Sequence, residues 1–173
     1  MSTTTTYILL IFTLVTFAQK PSNLFEIEPI LNKTTNYTSN LNIGQKLDDL
    51  SWGWNSSNAC FSATQKDNFN GNHVFFTSII PENSTYKISL TPKKNNYNIN
   101  LYAYEIKLSN NYLVPNLPNS IRCMSDITSE SNTREVVNQV LSKEKFRLVI
   151  GVVGANKLNE GEFSIKIKIS NNP

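Results

Sequence analysis

Histidine and cysteine are scarce, with one His and two Cys among 173 residues. That excludes an ordinary zinc site, which draws about four Cys or His ligands, and a dense disulfide scaffold. The six Gly residues leave no room for a collagen repeat, and the composition does not fit a coiled coil. No apolar stretch reaches the roughly 20 residues that cross a bilayer, so no membrane span is expected. No G-x-S-x-G occurs and no acid stands at a readable spacing from His73, so a Ser-His-Asp triad is not indicated. Gly151-x-x-Gly154 falls within and after a strand pattern, so it is not a phosphate loop.

What is abundant is asparagine, at 25 residues, while Lys outnumbers Arg thirteen to three. Both are AT-rich codon families, so codon bias explains the excess as well as function does. The formal charge is +3. The basic residues are scattered (Lys93-Lys94, Lys143, Lys145, Arg147, Lys166, Lys168) and interleave with acids, where nucleic-acid binding needs a concentrated basic face. No nucleic-acid partner is expected.

Tyr7 to Phe17 reads YILLIFTLVTF, the length of a signal-peptide h-region, with small residues at Thr16 and Ala18 before Gln19. Residues 1–18 are expected to be a signal peptide, although MSTTTT lacks a basic residue. A buried N-terminal strand is the alternative. The expected destination is extracellular or periplasmic. Two cysteines suit export, so Cys60 and Cys123 are expected to form a disulfide, against the alternative of two buried thiols. Sequons stand at Asn32, Asn36, Asn55 and Asn83, but so Asn-rich a chain produces about that many by chance.

Strand signals recur from residue 58 onward. Phe163, Ile165, Ile167 and Ile169 alternate with Glu162, Ser164, Lys166, Lys168 and Ser170, which predicts a strand with one wet face. Phe146–Val153 is apolar on both faces and predicts a central strand, joined to the last by a hairpin across Gly154–Gly161. Tyr86–Leu90, Ile99–Tyr104 and Asn72–Ser78 add three more. Thr133–Leu141 permits a short helix, but its valines favour a strand. Residues 107–132 read as a long loop. The sum is an all-β, antiparallel β-sandwich, jelly-roll-like, of seven to nine strands. Residues 58–173 form the sandwich. Residues 19–57 form an N-terminal strand and loop region packed on it, with one early strand near Leu24–Glu28.

Phe69-Asn70-Gly71-Asn72, Tyr86 to Pro92, Asn98-Ile99-Asn100-Leu101-Tyr102, Val149 to Gly154 and Gly161 to Ile165 together resemble the bacterial pre-peptidase C-terminal domain. The resemblance spans about 100 residues and implies a secreted β-sandwich. The Asn- and Lys-rich composition and the Ala18-Gln19 junction also resemble exported proteins of Bacteroidetes. Where the family tends to carry D-x-D-L-Y, Asn98 and Asn100 stand here, so calcium is disfavoured and no cofactor is expected.

The candidate ligand-binding residues are aromatic. Trp52 and Trp54, one residue apart on an extended chain, share a face that can stack on sugar rings, with Asn55, Ser56 and Ser57 supplying hydrogen bonds. The alternative places both indoles in the core. An outward pair, Tyr102 and Tyr104, is a second candidate surface, against packing under a loop. Asp48 and Asp49 are adjacent and would face opposite sides, and Glu105 shares the face of Leu101 and Ala103, so no glycosidase pair is marked. The expectation is a secreted, non-catalytic binding module for polysaccharide or an extracellular protein. A self-associating structural protein is the second reading, and an enzyme with an atypical carboxylate site the third.

Overall fold

The computed structural model describes residues 24–55, 58–110, 120–127 and 133–172. Ten strands lie among them. They are β1 (Leu24–Glu26), β2 (Thr34–Asn40), β3 (Gln45–Lys46), β4 (Asn72–Ile80) and β5 (Ser84–Pro92). Then follow β6 (Ile99–Lys107), β7 (Ser120–Asp126), β8 (Arg134–Val140), β9 (Phe146–Gly154) and β10 (Glu162–Asn171). Short 3-10 turns occupy Leu41–Ile43, Ser51–Gly53 and Ala63–Phe69. The region expected to be a signal peptide lies outside the described residues.

The chain is an all-β sandwich of two sheets. One has the order β1-β4-β9-β6-β7, with β3 also on β4, and the other has the order β2-β10-β5-β8. Pairing is antiparallel except for β1 on β4. The N-terminal segment contributes to both sheets through β1, β2 and β3.

Two kinds of strand build two layers of core. In β10, Phe163, Ile165, Ile167 and Ile169 are buried while Lys166 and Lys168 are exposed, as alternation predicts. That face meets Val74, Phe76, Leu101, Leu148 and Ile150 of the larger sheet in the core between the sheets. β9 is buried on both faces, because its second face packs under an aromatic layer outside the six-stranded sheet. This difference separates β9 from β10. A strand apolar on both sides needs cover on both, whereas β10 needs one wet face. The hairpin expected across Gly154–Gly161 is therefore not formed, and that connection passes from one sheet to the other.

Within 107–132, part of the expected loop is strand β7, paired along β6 from Leu101↔Asp126 to Ile106↔Ser120. Thr133–Leu141 is realised as β8, an edge strand on β5.

One polar cluster crosses the inter-sheet core. Glu105 of β6 is buried, and its Oε1 accepts from the Tyr86 hydroxyl at 2.8 Å and from the Asn138 amide. Asn138 in turn accepts from Arg122. Burial, and then the Glu105 carboxylate, push the Tyr86 hydroxyl far above its ordinary value. Tyr86 stays protonated and donates.

Asparagine wires one end of the sandwich. Asn72 Nδ2 reaches the carbonyls of Leu41 and Asn159, each at 3.2 Å. Asn70 Oδ1 accepts from the Lys157 amide at 2.6 Å, and Asn40 Oδ1 from the Gly161 amide at 3.1 Å. Asn156 adopts φ 51°, a region that Asn tolerates better than most residues. Part of the asparagine excess therefore has a structural use: short amides satisfy loop backbones.

Candidate functional site

The aromatic layer begins with local chain geometry. Asp49 Oδ1 accepts from the Ser51 amide at 2.7 Å, and Oδ2 from the Ser51 hydroxyl at 3.0 Å, which starts the turn at Ser51–Gly53. The Ser51 amide, and then its hydroxyl, hold the Asp49 carboxyl below its ordinary value. Gly53 is required where the turn closes, because a Cβ there would overlap the Phe61 ring.

That turn directs the two tryptophans differently. The pair is not extended as expected from sequence, since Ser51–Gly53 is a 3-10 turn. Trp52 is 7% exposed and packs against Phe61 at 5.8 Å and Tyr102 at 5.7 Å. Trp54 is half-buried and meets the same Phe61 edge-on at 5.9 Å. Phe61 stacks on Phe69 at 3.8 Å. Trp52 is thus part of the core, and its Nε1 has no hydrogen-bond partner among the described residues.

Tyr102 and Tyr104 correct the expected outward pair. Both are buried beneath this layer, on the face of β6 opposite Leu101 and Ala103. The Tyr102 ring crosses β9 at Gly151, where a Cβ would overlap it. Burial pushes both phenols well above their ordinary values.

His73 lies under the same layer. Its Nε2 faces the Phe69 carbonyl at 2.9 Å, which can only accept, so Nε2 carries the proton. Nδ1 then accepts from the Tyr102 hydroxyl at 3.0 Å. Burial lowers the His73 pKa from 6.5 to about 4, against the Phe69 carbonyl, which raises it. Between these values the unfolded chain binds a proton that the folded chain does not. Stability is therefore present above pH 6.5 and is lost as pH falls toward about 4. Unfolding free energies from urea titrations at neutral pH and near pH 4.5 should differ by roughly 2–3 kcal/mol from this residue. His73→Gln should flatten that part of the slope, and an unchanged slope would contradict the assignment.

A disulfide pins the layer down. Cys60 and Cys123 are bonded, with Cα atoms 4.9 Å apart. Cys60 sits in the covering loop rather than in a strand, and Cys123 lies in β7. Ser125 Oγ adds a bond to the Cys60 carbonyl at 2.6 Å, and Asn58 Nδ2 one to the Ser120 carbonyl at 2.8 Å.

Where the layer meets the Asn-wired end, a groove of about 450 Å³ opens beside Trp54. Its polar lining includes Asp48, Asp49, Asp67, Lys66 and Asn70, with Leu47 and Leu50 as apolar floor. Asp67 Oδ1 is held by Asn70 Nδ2 at 3.0 Å. A ring beside fixed carboxylates and amides is the makeup of a ligand groove. Of the residues expected from sequence, Trp54 lines it. Asn55 is exposed next along the chain, its amide donating to the Ser51 carbonyl at 2.9 Å, but it does not line the groove. Ser56 and Ser57 lie outside the described residues. Asp67, Lys66 and Asn70 were not singled out in the sequence as binding residues. The one cue is Asn70, which enters the sequence reading only within the Phe69-Asn70-Gly71-Asn72 resemblance.

Of the three carboxylates considered for catalysis, Asp48 and Asp49 line this groove and Glu105 does not. Glu105 is sealed between the sheets, and Asp49 holds its own turn. Asn100, at the position weighed for calcium, is buried, donating to the Asn68 carbonyl at 2.8 Å and facing Arg134 Nε at 3.3 Å.

Fold and site together define a two-sheet β-sandwich with one sheet capped by aromatics and a groove at the cap's margin. No family model matches the chain, and no curated protein matches it. Among solved structures it is similar to a periplasmic inhibitor of g-type lysozyme from Aeromonas hydrophila, at 6% identity and TM-score 0.46, over 85% of this chain and 96% of that one. It is also similar to the pre-peptidase C-terminal domain of a collagenase from Bacillus anthracis, at 10% identity and TM-score 0.44, over 87% of this chain and 99% of that one.

Proposed function

We propose that this chain is an exported, non-catalytic binding module whose Trp54 groove takes a polysaccharide. The observation that carries the reading is the split between the indoles: Trp52 serves the core, while Trp54 stays half-buried on a groove with fixed polar groups. An aromatic ring offers a flat apolar face to a sugar, and neighbouring carboxylates and amides can accept and donate to its hydroxyls. The disulfide supports an oxidising compartment. The residues shared with the pre-peptidase C-terminal pattern support placing the sandwich among such secreted modules.

Affinity electrophoresis through gels carrying neutral polysaccharides tests the reading. Retardation by at least one polymer is expected, with Trp54→Ala and Asp67→Asn each weakening it about tenfold, the effect of losing ~1.4 kcal/mol. Equal mobility of wild type and both variants in every gel would contradict it.

Self-association is the second reading. It is favoured by the edge strand β8, which exposes Val137, with Leu141 just beyond it, at 50% and 77%. Concentration-dependent sedimentation that Val137→Lys abolishes would support it over a monomeric module.

A further inference from the structure

We propose that the outer face of the four-stranded sheet is a docking surface for an anionic polysaccharide, separate from the Trp54 groove. Lysines scattered in sequence converge there. On β10, Lys166 and Lys168 both point outward. The register sets Lys168 directly opposite Lys87 of β5, and Lys166 between Asn36 of β2 and Ser89 of β5. Strand geometry spaces these positions about 5 Å across the sheet and about 7 Å along it.

Directly opposed like charges are unfavourable in an isolated sheet. One carboxylate offsets them: Glu135 of β8 binds Lys87 at 2.7 Å. Lys166 and Lys168 make no ion pair among the described residues. Glu162, further along β10, is taken by Lys93 at 2.7 Å. Two adjacent rows thus hold three cations against one carboxylate, among neutral hydroxyl and amide groups such as Thr34, Asn36 and Ser89.

That chemistry fits a chain bearing regularly spaced sulfate or carboxylate groups along a hydroxyl-rich backbone. Nucleic acid fits less well, because the described face offers no aromatic ring or arginine for bases to stack on. A protein partner would want a buried apolar anchor, and Val137 is the one apolar side chain on these rows.

The test uses the full chain with dextran sulfate, uncharged dextran and a DNA duplex as probes. At about 50 mM sodium chloride, dextran sulfate should bind and uncharged dextran should not engage this face; at about 0.5 M, where charges are screened within a few ångströms, the binding should vanish. Lys166→Glu with Lys168→Glu should weaken it about tenfold or more, since both attractions become repulsions. Lys107→Glu with Lys145→Glu makes the same charge change off this face and should leave affinity within about twofold. Three results would each overturn the proposal: no binding of dextran sulfate, equal losses in the two double variants, or DNA binding as tight as dextran sulfate. The Trp54 groove is read separately, by retardation in the neutral gels, which about 0.5 M sodium chloride should leave in place, so failure here and failure of the groove are told apart.

Discussion

Replacing Cys60 and Cys123 together by Ser is expected to lower stability by about 4 kcal/mol, the chain-entropy value for a loop this long. The two residues are 63 apart in sequence, so the bridge removes much freedom from the unfolded chain. The folded chain should keep its strands, because neither sheet is paired through Cys60. The loss should concentrate in the covering layer, whose remaining ties to β7 include the Ser125 and Asn58 hydrogen bonds. Urea unfolding of wild type, reduced wild type and the double variant checks this. Midpoints that coincide would show that the disulfide adds nothing. A reduced wild type matching the variant would confirm that the bond, and not the thiols, is responsible.

Trp52→Ala should be the second large loss, about 3–5 kcal/mol, because it empties the space between Phe61 and Tyr102. Trp52→Phe should recover much of it. The ring still packs, and the indole N–H it removes has no partner among the described residues. Trp54→Ala should change stability by only about 1 kcal/mol, since that ring is half solvated. Thermal melts of the three variants give the ranking. A Trp54→Ala variant as unstable as Trp52→Ala would place Trp54 in the core and remove the groove's aromatic wall.

The strands that alternate or run wholly apolar were legible because their side chains state their own burial. β10 shows one face and β9 shows two. β2, TTNYTSN, carries no such statement: it joins the sheet by pairing along β10, with Tyr37 its only large apolar ring. β7 is similarly polar and was hidden within an expected loop. In β6, alternation correctly separated Leu101 and Ala103 from Tyr102 and Tyr104. It could not say that the tyrosine face is covered, since the cover comes from the weakly patterned segment around Trp52, Phe61 and Phe69. The same gap hid the groove. Trp54 was visible as a candidate, but Asp67 and Asn70 reach it only through the turn that follows Ala63. The lysines of the outer face looked dispersed because they lie on β5 and β10, far apart in sequence and adjacent in the sheet.

The most direct test of the central claim is a titration of intrinsic tryptophan fluorescence with soluble polysaccharides. Wild type is expected to show a saturable shift with at least one polymer, superposed on an unchanging blue component from buried Trp52. Trp54→Ala, with its fold intact, should lose that shift. If no polymer moves the emission, or if the shift survives in Trp54→Ala and disappears only in Trp52→Phe, the Trp54 groove is not the polysaccharide site.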